Sequence, residues 1–129
     1  MPGKRKIIYI FGNPMLDFDN LPLKLAPQLK KIFPEIDFMI ADPNENLKPV
    51  NRKLVIIDSV EGIEKVTPIE NLDQLKIEKK YSLHDLDLAF NLKLLQKIGK
   101  LEKVKILGVP MKGDEKEILE QLEKWIRLL

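Results

Sequence analysis

A chain of 129 residues has the size of one domain and can bury one core but not two, so a single domain over 1–129 is expected. Twenty-two basic residues against 20 acidic leave a net charge of +2. Nearly every lysine pair has an acid close by in sequence, which is a mixed-sign surface and speaks against a nucleic-acid partner. The chain has no cysteine, which removes disulfides, thiolate nucleophiles, iron–sulfur clusters and thiolate zinc sites together. No run reaches the roughly 18–20 uncharged apolar residues that span a bilayer. The apolar stretch behind the basic start, Ile7 to Phe11, is too short for a signal-peptide core. A cytoplasmic protein without a membrane partner is therefore expected.

The first element in chain order is Lys6 to Phe11, a β-branched and aromatic run that stops at Gly12-Asn13-Pro14 and reads as a buried strand ended by a turn. From Asn20 to Phe33, the residues Leu25, Ala26, Leu29, Ile32 and Phe33 recur at helical spacing, with Asn20 placed as an N-cap. Pro27 predicts either a bend in this helix or a later start. Asp37 to Ala41 is a short second strand, closed by Asp42-Pro43-Asn44. Lys53 to Ile57 is a continuous aliphatic run, the pattern of a strand covered on both faces, and it ends at Asp58-Ser59. Val66, Thr67 and Ile69 suggest a short edge strand, where Pro68 is tolerated. Ser82 and Asp85 have capping-box spacing ahead of a helical face, Leu86 to Ile98, which ends at Gly99 and puts His84 in the first turn. Val104 to Leu107 is the last strand, ended by Gly108-Val109-Pro110. Asp114 and Glu117 then cap a final helix whose stripe is Ile118, Leu119, Leu122, Trp125, Ile126 and Leu129. Strand and helix alternate, so the expected fold is three-layer α/β/α. Its sheet is a mostly parallel, twisted one of about five strands, with helices on both faces and one antiparallel strand at the edge.

Parallel strands share a carboxyl edge, and ligands bind along that edge where the strand order reverses. The polar residues just past the strands are Asn13, Asp17, Asp19, Asp42 and Asp58. His84, the only histidine, opens a helix whose start faces the same rim. Two carboxylates and a neutral imidazole form a three-ligand set with open positions, suited to a divalent ion of borderline hardness. A helix N-terminus disfavours the charged imidazole, so the ligand form is available near neutral pH. Each residue also has a plainer use. Gly12-Asn13-Pro14 makes a turn, Asp19 makes a helix cap, and a lone histidine is often structural. Tyr81 and Trp125 read as packing residues. Spacing alone does not choose nickel over zinc. Phosphate loops, dinucleotide fingerprints, His-Glu-x-x-His and Gly-x-Ser-x-Gly are all missing from the sequence.

Four motifs in order resemble the hydrogenase maturation endopeptidases. A strand ending in Gly12-Asn13-Pro14, then Met15-Leu16, two variable residues and Asp19, is similar to the family's opening Gly-Asn-x-Leu-x-x-Asp-Asp/Glu-Gly, whose second acid is its first metal ligand. Val55-Ile56-Ile57-Asp58 matches its aspartate-ending strand, and Tyr81-Ser82-Leu83-His84 matches its histidine after a Ser or Thr. Leu107 to Pro110 resembles its Gly-x-x-Pro strand exit with one residue missing. Phe18 and Asn20 depart from the opening motif, Asp42-Pro43-Asn44 replaces Asp-Gly-Gly-Thr, and Asp87 replaces a glycine. The resemblance implies a processing protease that removes the C-terminal extension of a nickel hydrogenase large-subunit precursor. Asp19, Asp58 and His84 would be both its metal ligands and its catalytic residues. The nickel would arrive in the precursor, and zinc or cadmium can stand in for it in a crystal. Two other readings remain: a non-catalytic relative that binds a hydrogenase precursor or maturation factor, and an unrelated doubly wound module with a small ligand at the switch point.

Overall fold

The structure, a computed structural model, describes residues 6–11, 21–41, 53–60, 62–70, 99 and 103–129. Five strands form one sheet: β1 (Lys6–Phe11), β2 (Ile36–Ala41), β3 (Lys53–Val60), β4 (Thr67–Ile69) and β5 (Lys103–Pro110), in the order β2-β1-β3-β5-β4. The first three pairings are parallel, and β4 runs antiparallel to β5 at the edge. This is the mostly parallel α/β sheet with one reversed edge strand that the pattern predicts.

Helix α1 (Leu21–Ile32) buries Leu21, Leu25, Ala26 and Leu29, a stripe at helical spacing. It begins at Leu21 and continues through Pro27, so of the bend or late start that Pro27 predicts, the late start does not occur. Pro27 lies on the exposed side, so the Leu23 carbonyl that it leaves without an intrahelical donor is within reach of water. The helix stops just before Phe33, which precedes Pro34 and is therefore pushed out of helical backbone geometry. Helix α2 (Glu115–Arg127) begins where expected. The Asp114 side chain accepts hydrogen bonds from the Lys116 N–H at 2.8 Å and the Glu117 N–H at 3.4 Å, so two of the helix's orphan donors are met. Its buried residues, Ile118, Leu122 and Ile126, follow one another at four-residue steps.

Both helices lie on one face of the sheet. There Ile8 and Ile10 of β1, Ile57 of β3, and Leu107 and Val109 of β5 pack with Leu25, Leu29, Leu122 and Ile126. Each fully buried aliphatic side chain of this kind contributes about 1.5–3 kcal/mol. Trp125 packs against the same cluster, in keeping with a structural role. Alternate strand residues, Tyr9, Phe11, Leu54, Ile56, Val60, Val104 and Ile106, form a second buried cluster on the opposite face. Burial on both faces accounts for the uninterrupted aliphatic run Leu54–Ile57 of β3 and for the aliphatic residues of β5 on either side of Lys105. The helix expected over 81–99, apart from Gly99, falls outside the described residues.

Two strand ends differ from the sequence expectation. β3 continues three residues past Ile57 to Val60, and β5 continues three past Leu107 to Pro110. The two extensions pair with each other, Asp58 with Gly108, Ser59 with Val109 and Val60 with Pro110. Mutual ladder bonding and burial thus override the turn-forming preference of Asp, Ser, Gly and Pro.

Candidate active site

From β1 the chain goes first to β2 on one side and later to β3 on the other. This reversal of direction makes the carboxyl ends of β1 and β3 the switch point of the sheet, the place where ligands bind in open α/β sheets. β1 and β3 pair from Ile8–Val55 to Ile10–Ile57. One further step in that register brings Phe11 level with Asp58.

Asp58 sits inside the strand, not beyond its end as the sequence suggests. Its side chain shares the face of Ile56 and Val60, and the residue is only 8% exposed. A carboxylate in such a place needs polar partners, because desolvating an unpaired charge is very costly. One is the backbone N–H of Ser59, which donates to Oδ1 at 2.9 Å. This bond holds Oδ1 and with it the orientation of the group.

Across the ladder from Asp58 stands Gly108. A Cβ there would lie 2.9 Å from Val60 Cγ2, 3.2 Å from the Thr67 carbonyl oxygen and 3.4 Å from Ile63 Cδ1. The glycine is thus required by close packing from β3 and from the edge strand, and the wall beside Asp58 has no spare volume. Ser59, one residue on, points to the helix-bearing face. It is 2% exposed, and its hydroxyl has no hydrogen-bond partner. Sequence reasoning assigns Ser59 no role beyond following Asp58. Alternation along a strand was the one available signal that it would face inward.

Of the three residues expected to gather at this rim, Asp58 is the one described. Asp19 and His84 lie outside the described residues, as do Asn13, Asp17 and Asp42. Among the described residues no group of three His, Cys, Asp or Glu side chains is placed to hold a metal ion. Nor, among them, is any helix long and apolar enough to cross a membrane.

The fold has known counterparts. The hydrogenase maturating endopeptidase HybD from Escherichia coli superposes with a TM-score of 0.68 at 18% identity, over 95% of this chain and 93% of that one. A second endopeptidase from Escherichia coli, solved in solution, gives 0.55 at 17% identity, over 94% of this chain and 85% of its own. An uncharacterized protein from Wolinella succinogenes gives 0.50 at 14%, over 92% and 80%. At these identities the likeness is one of fold. No curated protein sequence matches significantly. The family model for hydrogenase maturation proteases, however, matches residues 41–127, which include β3 with Asp58, strands β4 and β5, and the whole of α2. The chain belongs to the hydrogenase maturation protease family.

Proposed function

We propose that this protein is the endopeptidase that trims the C-terminal extension from a nickel hydrogenase large-subunit precursor in the cytoplasm. Asp58 is the observation that carries this reading. In a member of this family, a buried carboxylate fixed by a backbone N–H stands at the switch point of the sheet. Asp19 and His84 are the other residues proposed to meet the metal. The nickel is part of the substrate, so its presence tells the protease that insertion is complete. Two carboxylates and an imidazole suit such an ion and leave positions open for the precursor's own ligands. Once held, the ion supplies Lewis acidity toward the scissile carbonyl. Asp58 supplies a fixed negative charge that needs no reorientation as the metal-bearing segment arrives.

The test is incubation of nickel-loaded precursor with wild-type protein and with Asp58→Asn, followed by mass measurement of the precursor. Wild-type protein is expected to shorten the precursor, and Asp58→Asn to do so at least roughly 100-fold more slowly. A full-length precursor after incubation with wild-type protein refutes the protease reading. Equal cleavage by Asp58→Asn refutes the role given to Asp58.

A further inference from the structure

The two lateral edges of the sheet are built differently. At one, β4 is three residues long and contains Pro68. The Val66 N–H beside it is taken by Gln121 Oε1 at 2.8 Å, and Glu70 pairs with Lys105 at 3.1 Å. Shortness, proline and charge are the usual ways in which an edge is closed to further strands. At the other edge, β2 is six residues long and pairs with β1 along its whole length. Among the described residues no strand lies on its outer side. It also carries two of the largest exposed apolar side chains, Met39 at 48% and Ile40 at 57%. Successive strand residues point to opposite faces, so this pair presents one apolar group above the edge and one below.

The register ties that open edge to the candidate site. Ile40 is level with Ile10, and Ile10 with Ile57, the residue before Asp58. Two strand spacings put the exposed pair roughly 10 Å to the side of the carboxylate, at the same height on the sheet. A peptide laid along β2 would therefore emerge at the rim where Asp58 stands.

We infer that the β2 edge is the docking strand for the substrate polypeptide. An extended segment of the precursor adds to β2 through main-chain hydrogen bonds, and Met39 and Ile40 grip its side chains from either face. Met39, flexible and polarizable, accepts varied shapes. The inference rests on the protease reading above, because the extended chain it requires is that enzyme's substrate.

The probe is the nickel-loaded large-subunit precursor. Hydrogen exchange at residues 36–41 of the wild-type protein is expected to slow when the precursor is added. Met39→Lys and Ile40→Lys are each expected to raise KM about tenfold or more while leaving kcat within about twofold, the signature of lost uniform binding. Cleavage at the wild-type rate by both lysine variants overturns the inference, as does unchanged exchange at 36–41 during cleavage. A concentration-dependent dimer that Ile40→Lys abolishes, with cleavage unaffected, overturns it in favour of a second copy of this chain. Slowed exchange at β2 with a precursor left uncut supports the docking strand and sinks the protease reading, so the two failures are distinguishable.

Discussion

Gly108→Ala tests whether the wall beside Asp58 is as tightly built as its geometry states. The new methyl group would stand 2.9 Å from Val60 Cγ2 and 3.2 Å from a backbone oxygen of β4. Val60 is 3% exposed and β-branched, so its side chain has one favoured rotamer and little room to turn. The Thr67 carbonyl can move only if β4 moves with it. Overpacking of this kind costs about 1–3 kcal/mol. Removing a glycine from the unfolded chain returns about 0.4–1 kcal/mol. The net loss is about 1–2 kcal/mol, which for a domain of this size lowers Tm by roughly 4–8 °C. Reversible thermal melts followed by circular dichroism measure the shift directly. A cycle with Val60→Ala isolates its cause, with a coupling of about 0.5 kcal/mol or more expected for the pair in contact. A Gly108→Ala protein as stable as wild type, or two substitutions that simply add, would refute the reasoning.

Ser59 and the lysines at the start of the sheet give two more predictions. The Ser59 hydroxyl is buried without a partner, a state that costs about 1–3 kcal/mol. Ser59→Ala is therefore expected to match wild type or exceed it by up to about 1 kcal/mol in urea unfolding, and a clear loss of stability contradicts this. Lys53 and Lys103 face each other across β3 and β5, and the β1 register carried two residues back sets Lys6 beside Lys53. Like charges directly opposite in a sheet cost about 0.2–1 kcal/mol. Lys53→Glu is expected to raise Tm by roughly 1–4 °C near 10 mM salt and by much less near 0.5 M, and an advantage that salt does not shrink rejects the electrostatic explanation.

The sheet was legible because its central strands are buried on both faces and write themselves as aliphatic runs. Val55-Ile56-Ile57 and Val104 to Leu107 need no partner to be recognised. Their final residues were not legible. Asp58, Ser59, Gly108 and Pro110 are turn formers by local preference, and only the pairing between the two strands keeps them extended. The late start that Pro27 suggested does not occur, for a related reason. A proline's cost depends on whether the freed carbonyl meets water, and a linear sequence does not say which side of the helix is wet. The short strand around Pro68 was readable because an edge position removes that cost. At the site, the pattern marked Asp58 as the polar residue ending a buried run, whereas the buried run continues through Ser59 to Val60. It could not show that Ser59 turns away from Asp58, or that Gly108 is held to its size by Val60.

Adjacent residues that face opposite ways also guard the threading of β3. If that strand slid by one position against its neighbours, Asp58 would turn into the oily layer beneath α1 and α2, and Ile57 or Ser59, according to the direction of the slip, would take its place at the rim. Such a misthreaded chain would strand an ionised group in hydrocarbon, a state far too unfavourable to be populated. The buried Asp58 carboxylate is in this way a proofreader of the fold. Its replacement by a neutral residue is expected to loosen the choice of register.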